Sequence, residues 1–245
     1  MMEKIVNRLL IITAAAAVIF GALAFAFRNA EHDNAAEGDE FFAVCDYIEI
    51  NLVRLNAEIL PYDGDKIRVC YKNNLPLIIE QGDNRITVSE DESFVISLFP
   101  GASTSFGVRV YLPERSYREI SVSTGGGNVT VGRVDGRTLS VMTESGDIAC
   151  KNAVSQFNLS TTDGYISVDI EAVMRNSSIL SRKGNVDIFV SEKASVAIEF
   201  ETVTGQCVPE ITGGRASGAG LYGINGGAGK IEATVQTGTL TIKKR

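Results

Sequence analysis

The chain has 245 residues, of which 44% are hydrophobic and 22% are charged, so it carries ample apolar material for a folded core. Its net charge of −7 excludes the basic surface by which proteins bind nucleic acid. Four cysteines in this length are too few for a disulfide scaffold. The 24 glycines, the absence of tryptophan and the many Val, Ile and Thr residues favour an all-β fold.

The first segment of the chain is predicted to cross a membrane. Leu9 to Phe27 is a run of nineteen residues without a charge. A helix of that length spans about 29 Å, which is close to the hydrocarbon thickness of a bilayer. Because Lys4 and Arg8 precede the run, the positive-inside rule places residues 1–8 in the cytoplasm. We therefore predict a single-pass anchor of the cell membrane, with the C-terminal domain outside.

A cleaved signal peptide is the alternative to a retained anchor. Ala22 and Ala24 belong to small-x-small patterns that suit signal cleavage. The apolar run is longer than an ordinary signal core, which favours retention and gives a first unit of residues 1–28. Residues 29–40 are polar and acidic, so they are predicted to form a flexible spacer. The single histidine, His32, lies in that spacer, where a solvated role is expected.

The rest of the chain, residues 41–245, is predicted to be one continuous domain. Short alternating strands recur over residues 41–112 without a clean period. Turn signals such as Pro61 to Asp65 separate them. We expect this part to form irregular first coils or a cap, because solenoids must protect their terminal strand edge. Regular coils are expected over residues 113–245.

A phrase recurs six times between Ile120 and Ile242: an apolar strand of period two, a Thr or Ser, a Gly, and another alternating pair. The glycines are separated by 19, 18, 20, 21 and 33 residues. A period near twenty is typical of stacked solenoid coils, since one coil cannot bury its apolar side alone. The six predicted corner glycines are Gly127, Gly146, Gly164, Gly184, Gly205 and Gly238.

We therefore predict a single-stranded, β-helix-like β-solenoid in which each glycine marks the same bend. Asn128, Asp147 and Asn185 directly follow glycines, and their side chains are predicted to bond the local turn backbone. A β-sandwich of many short strands is the alternative, because turn signals about every 8–12 residues also suit that fold.

Residues 209–230 interrupt the regular coils with a glycine-rich insertion. It is either a mobile ligand loop or, as we favour, a flat hairpin that carries Leu221 and Tyr222. Among the cysteines, Cys150 and Cys207 are predicted to be buried apolar residues in separate coils, beyond disulfide reach. A bond between Cys45 and Cys70, which lie in early strands, is left open.

The order of these segments resembles that of the bacterial putative-adhesin family. The resemblance covers roughly residues 45–243 and rests on segments such as Ala57 to Val69, Val108 to Pro113 and Thr143 to Ile148. It implies a β-solenoid on the outer side of a cell membrane, without established catalytic residues. It also implies a sensing or accessory role for some members, beside envelope-stress regulators. The run Gly125-Gly126-Gly127, where the family usually has a serine before its glycine, is a departure.

The sequence favours a protein that is not an enzyme. The outward position three residues after each corner glycine is acidic only at Asp187, so the carboxylate pair of a glycoside hydrolase is not predicted. Turn chemistry explains Asp147 and Asp163. An Asp63-Gly-Asp65 turn lacks the remaining ligands of a calcium site, so no metal or other cofactor is predicted.

We interpret the chain as a display module that binds cell-envelope glycan or a surface protein. The alternative is an accessory or sensor subunit of an envelope-stress system that acts on a membrane partner through residues 9–27. For the first function, the polar side of the strands offers hydroxyl and amide groups as ladders. These candidate residues are Ser121, Ser123, Ser140, Asn158, Ser160 and Ser167.

Overall fold

The computed structural model describes residues 37–72, 75, 77–91, 107–153, 156–173, 175–209, 216–224, 227 and 229–245. Gly38 to Arg245 forms one compact unit. The described residues contain strands and no helix, which confirms the predicted all-β class. No helix that could cross a membrane is therefore found among them. The predicted anchor, residues 9–27, and His32 lie outside the described residues.

The described residues form nineteen strands. In chain order they are β1 (Glu37–Phe42), β2 (Tyr47–Leu52), β3 (Ala57–Tyr62), β4 (Ile67–Lys72), β5 (Leu77–Gly82), β6 (Arg85–Glu90), β7 (Val108–Pro113), β8 (Ser116–Thr124), β9 (Val129–Val131), β10 (Asp135–Thr143), β11 (Ile148–Ala153), β12 (Gln156–Asp163), β13 (Ile166–Ile170), β14 (Ser177–Lys183), β15 (Val186–Val190), β16 (Val196–Pro209), β17 (Ala216–Ile224), β18 (Gly229–Thr237) and β19 (Thr239–Lys244).

Two parallel stacks of strands make a β-solenoid, as predicted. Face A stacks β6, β2, β8, β10, β12, β14, β18 and the first half of β16, in that spatial order. Face B stacks β7, β3, β9, β11, β13, β15, β19 and the end of β16. Alternate residues point inward, so Ile, Val and Leu side chains from both faces fill the space between them.

The end coils do not follow the order of the chain. The first coil, β2 with β3, lies between the coil of β6 with β7 and the coil of β8 with β9. At the other end, β18 with β19 lies between the coil of β14 with β15 and β16. At the first end the chain thus crosses the coil of β2 with β3 to continue the stack. At the other end it leaves a space that β18 and β19 then fill. The spacing of the repeated phrases predicts coils that stack in chain order. It contains no signal that one coil lies out of that order.

Antiparallel strands cover the outer edges of both end coils. At one end β5 pairs with β6, and β4 pairs with β7. At the other end β17 pairs with β16, which is the hairpin that the sequence favours for the insertion. The last strand, β19, pairs with β15 as far as Lys244, next to the C-terminal residue.

The first strand begins inside the segment predicted as a spacer. β1 starts at Glu37 and pairs with β4. Arg68 on β4 donates to Asp39 at 2.8 Å, and Tyr71 donates to Glu40. Two of the acidic side chains that suggest a solvated linker therefore bind residues of β4. The predicted spacer, residues 29–40, overlaps β1 by four residues.

The six predicted corner glycines form one column. A Cβ atom added to Gly146 would lie 2.0 Å from the carbonyl oxygen of Gly127, and one added to Gly164 would lie 2.1 Å from that of Gly146. The same contact continues through Gly184 and Gly238, and Gly205 follows Gly238 because of the exchanged coil. These distances are too short for any side chain, so adjacent coils approach at this corner only where the residue is glycine.

A buried column of hydroxyl groups lies beside the glycines. Thr143 Oγ1 donates to the carbonyl oxygen of Gly127 at 3.4 Å, and Thr161 Oγ1 donates to that of Gly146 at 3.2 Å. These hydroxyls have partners despite burial, which avoids the cost of an unsatisfied polar group. In these two coils the Thr of the repeated phrase therefore links the coil to the preceding one. The column contains Thr124, Thr143, Thr161, Ser181 and Thr202, all buried.

The Asn and Asp side chains after the glycines bond the next coil, not the local turn that the sequence suggests. Asn128 Oδ1 accepts from the Asp147 amide at 2.9 Å. Asp147 Oδ1 in turn accepts from the Tyr165 amide at 2.8 Å, and Asn185 Oδ1 accepts from the Thr239 amide at 2.9 Å. The residue type is the one that turns favour, but stacking offers its oxygen an amide in the adjacent coil.

No disulfide joins any of the four cysteines, all of which lie among the described residues. Cys45, Cys150 and Cys207 are buried. Burial raises the pKa of the Cys150 thiol to about 12 and that of Cys207 to about 11. Both thiols are therefore neutral near pH 7 and pack as small apolar groups. Cys70 is partly exposed beside Asp39.

We predict that Gly146→Ala destabilises the domain by about 3 kcal/mol or more, because the added Cβ clashes with the Gly127 carbonyl, a backbone group that cannot move like a side chain. Gly82→Ala is the matched control, since an added Cβ there meets nothing within 4 Å. Urea unfolding of both variants measures the difference. Equal stability of the two variants would contradict the glycine column.

Replacing Thr161 by Val keeps the side-chain shape but removes the buried hydroxyl. We expect a loss of about 1–3 kcal/mol, because the Gly146 carbonyl loses its donor. Thr161→Ser keeps the hydroxyl and matches Ser181 in the same column, so we expect it to lose less stability than Thr161→Val. The free energy of unfolding of each variant decides between them, and a reversed ranking would show that the methyl group matters more.

Thiol labelling at pH 8 tests the environment of the cysteines. We expect Cys70 to react in the native protein, and Cys150 and Cys207 to react only after unfolding, because their raised pKa values and burial leave little accessible thiolate. Peptide mass spectrometry after alkylation reports each site separately. Rapid native labelling of Cys150 would contradict its position in the core.

Candidate binding surface

Two neighbouring columns of uncharged side chains, most of them small and polar, run along the outside of face A. We call them the hydroxyl ladders. Pairing of the strands places Ser121, Ser140, Asn158 and Ser178 at one position of successive coils. Two residues further along each strand, the second column contains Ser123, Met142, Ser160 and Leu180. Adjacent rungs of a sheet are about 4.8 Å apart, so each ladder repeats its groups at that interval.

The ladders continue toward the first coils of the domain. Glu49 and Asn51 on β2 occupy the two columns, and β6 adds Thr87 and Ser89. Hydrogen bonds from Asn51 and Arg85 hold the pKa of Glu49 below its ordinary value, so this carboxyl is ionised at neutral pH. The side chains at this end are thus bonded to one another.

Five of the six ladder residues predicted from the sequence lie together. Ser121, Ser123, Ser140, Asn158 and Ser160 are all on face A. Ser167 is not with them, because it belongs to β13 on face B, where it pairs with Asp187. The prediction did not separate the strands before each glycine from those after it. The sequence analysis also missed Ser178, Asn51, Thr87 and Ser89, although each occupies an alternate position of a strand.

The central part of the ladders has a hydroxyl and amide surface with one prominent apolar group. Ser178 donates to Asn158 Oδ1 at 3.0 Å, which links two adjacent coils. Met142 stands between Ser123 and Ser160 in its column and is 56% exposed. An exposed thioether among hydroxyls offers an adaptable apolar contact within a polar surface.

The far end of the ladders is acidic. Glu232 and Glu199 continue the first column, and Glu201 ends the second. Lys230 lies 2.6 Å from Glu199 and 2.8 Å from Glu232 and thus pairs with both. The uncharged section of the ladders therefore extends over the middle coils and is bounded by ionised groups at each end.

The carboxylates of face B are held in ion pairs. Lys243 lies 3.5 Å from Asp187, the one acid at the outward position after a corner glycine, and Arg245 pairs with Asp169. Asp63 and Asp65 are exposed, and Asp147 is engaged by the Tyr165 amide. Within the described ranges, no three His, Cys, Asp or Glu residues come together in an arrangement that would hold a metal ion. Asp147, Asp169 and Asp187 thus bind groups of neighbouring coils or of the chain end.

Solved structures to which the chain is similar include proteins named for adhesion and one named for lipid binding. A putative cell adhesion protein from Clostridium sporogenes superposes with a TM-score of 0.52 at 15% identity, over 86% of this chain and 100% of that one. A putative adhesin from Bacteroides fragilis gives a TM-score of 0.41 at 14% identity, over 86% and 98% of the two chains. A putative lipid binding protein from Parabacteroides distasonis gives 0.36 at 16%, over 87% and 98%.

At such low identity, the Clostridium sporogenes structure shows the shared fold alone. No curated protein gives a significant match to the chain. The family model described as Toastrack DUF4097 matches residues 45–169, which is slightly more than half of the 245 residues. The matched part contains the first end coil, the exchanged coil beside it and the first three glycine corners. The resemblance to the bacterial putative-adhesin family is thereby confirmed, and the chain belongs to the Toastrack DUF4097 family.

Proposed function

We propose that the chain is a non-catalytic display module that binds cell-envelope glycan through the hydroxyl ladders of face A. The single observation that supports this is the uncharged middle section of the two ladders. It presents donors and acceptors in a periodic array on a surface built from packed coils.

A regular polymer of hydroxylated units suits such a surface. Each Ser or Asn side chain can donate and accept, so every coil adds a similar small contribution along the length of a polymer. The side chains stand on strands held by neighbours on both sides, as Ser140 does between Ser121 and Asn158. Little ordering of the protein is then required on binding, which favours affinity built from many weak contacts.

The composition of the ladders favours glycan over a surface protein. Protein interfaces are enriched in Tyr, Trp, Phe and Arg at their energetic centres. None of these residues occupies the ladder positions of β6, β2, β8, β10, β12 and β14. Met142 is the prominent exposed apolar group of this section.

The location that we propose follows from residues 9–27 in the sequence. A retained helix there holds the module at the cell membrane, with residues 1–8 in the cytoplasm. The solenoid then stands outside the cell, where envelope glycan is within reach. The name of the similar Clostridium sporogenes protein, a putative cell adhesion protein, supports this role without identifying the ligand.

Cosedimentation with isolated cell-wall glycan tests the proposal. Ser140→Arg places a long charged side chain at the centre of the ladders and is expected to weaken binding about tenfold or more, a loss of about 1.4 kcal/mol. Thr130→Arg is the matched control, because Thr130 has a similar outward position on face B. Equal binding by the two variants, or none by the native protein, would contradict the assignment.

Removing residues 9–27 separates this function from the accessory-subunit alternative. A chain without them that still binds glycan supports the display module. If glycan binding is absent and an envelope-stress response depends on residues 9–27, the accessory role is supported instead. Small residues such as Ala14 and Gly21 are compatible with close pairing to a partner helix.

A further inference from the structure

The edge strand β17 has an unusual composition for the end of a sheet. Natural edge strands are protected by charges, prolines, bulges or a covering segment, since their unpaired backbone groups invite another strand. Ala216 to Ile224 contains no charged residue and no proline. At the opposite end of the solenoid, Arg68 and Asp39 bind each other beside the outer strands.

Pairing within the described residues occupies only one edge of β17. Its partner is β16, and the register runs without interruption from Gly218 opposite Thr202 to Ile224 opposite Val196. The strand that follows in the chain, β18, pairs with β14 on one side and β16 on the other. It therefore has no free edge to offer β17.

The contacts of Gly218 identify the backbone groups that point to the free edge. Its amide donates to Thr202 Oγ1 at 3.1 Å, and its carbonyl accepts from the same hydroxyl at 3.2 Å. The backbone groups of Gly218 therefore point toward β16. In antiparallel sheets this direction alternates from residue to residue, so those of Ala219, Leu221 and Gly223 point away.

The side chains of this strand are also divided between its two sides. Tyr222 faces inward and stacks on Phe200 with ring centroids 5.5 Å apart. Gly220 also faces Phe200, because an added Cβ would lie 2.4 Å from that ring. Leu221 faces outward and is 69% exposed, the largest exposure among the described large apolar residues.

We propose that this edge pairs with β17 of a second copy of the chain, in antiparallel orientation about a two-fold axis at Leu221. The two Leu221 residues then exchange backbone hydrogen bonds, and each Ala219 lies opposite the other copy's Gly223. Alanine opposite glycine creates no steric conflict. The two leucine side chains contact each other across the axis, which removes both from water.

Charge does not oppose this arrangement. Glu199 lies opposite Leu221 on β16, so the two copies of Glu199 are separated by three strand spacings, or about 14 Å. That distance exceeds the Debye length of about 8 Å at physiological ionic strength. A partner strand with charged residues opposite Ala219 or Gly223 would find no residue of opposite charge on β17.

The dimer is expected to be weak. Seven paired residues extend about 24 Å, and with a sheet about 10 Å thick the edge covers roughly 240 Å² per copy. A standard stable interface buries about 800 Å² per partner. Pairing of two modules held at one membrane raises their effective concentration, which compensates for a small interface.

Cysteine crosslinking of the full chain in mild detergent tests the pairing. Leu221→Cys places two thiols opposite each other with Cα atoms about 5.5 Å apart, within disulfide reach, and is expected to give a crosslinked dimer under mild oxidation. Glu199→Cys is the matched control on the neighbouring strand and is expected to remain uncrosslinked. The native protein, which retains its four cysteines, measures the background.

A second variant tests the backbone bonds themselves. Leu221→Pro removes an amide that points away from β16, so we expect the domain to remain folded while the dimer fraction falls in a concentration series. Monomeric Leu221→Cys with an intact fold would overturn the proposal. A crosslink from residue 221 to another protein, or protection of this edge by residues 1–36, would also overturn it.

Discussion

The structure depends on contact between backbone atoms at the glycine corner. Each glycine carbonyl occupies the space where the next coil would carry a Cβ atom, as between Gly127 and Gly146. This contact fixes the position of one coil on another, and the buried threonine hydroxyls hydrogen-bond the same carbonyls. Because register in a sheet determines which face a side chain occupies, alignment of the corners also aligns every residue before and after them.

The surface chemistry follows from that alignment. The first column places Ser or Asn side chains on four successive coils, so side chains distant in sequence form a continuous surface. Ser121 and Ser178 are separated by more than fifty residues and still share a column on face A. Closed ends are equally necessary, because an open stack of parallel strands would bind further strands without limit. Paired charges protect the outer strands at one end. At the other end the outer strand is β17, and in our proposal its free edge is covered by β17 of a second copy.

Much of the fold could be predicted from the sequence, because glycine spacing and strand alternation are local signals. The corner glycines and five residues of the ladders follow from them directly. The exchange of end coils could not be predicted, since the long step between Gly205 and Gly238 is compatible with either order. The face on which Ser167 lies could not be predicted, because the sequence does not show that the strands before and after a glycine form different faces. Asn128 has the residue type of a local turn, and only stacking shows that its partner is in the next coil.

Distances between paired spin labels test the stacking most directly. With one label at position 121, a second at 232 is four strand spacings away and one at 199 is five, so we expect about 19 Å and about 24 Å between the labelled backbone positions. Stacking in chain order would reverse these two values. The predicted result is the shorter distance for position 232, and a shorter distance for position 199 would contradict the account.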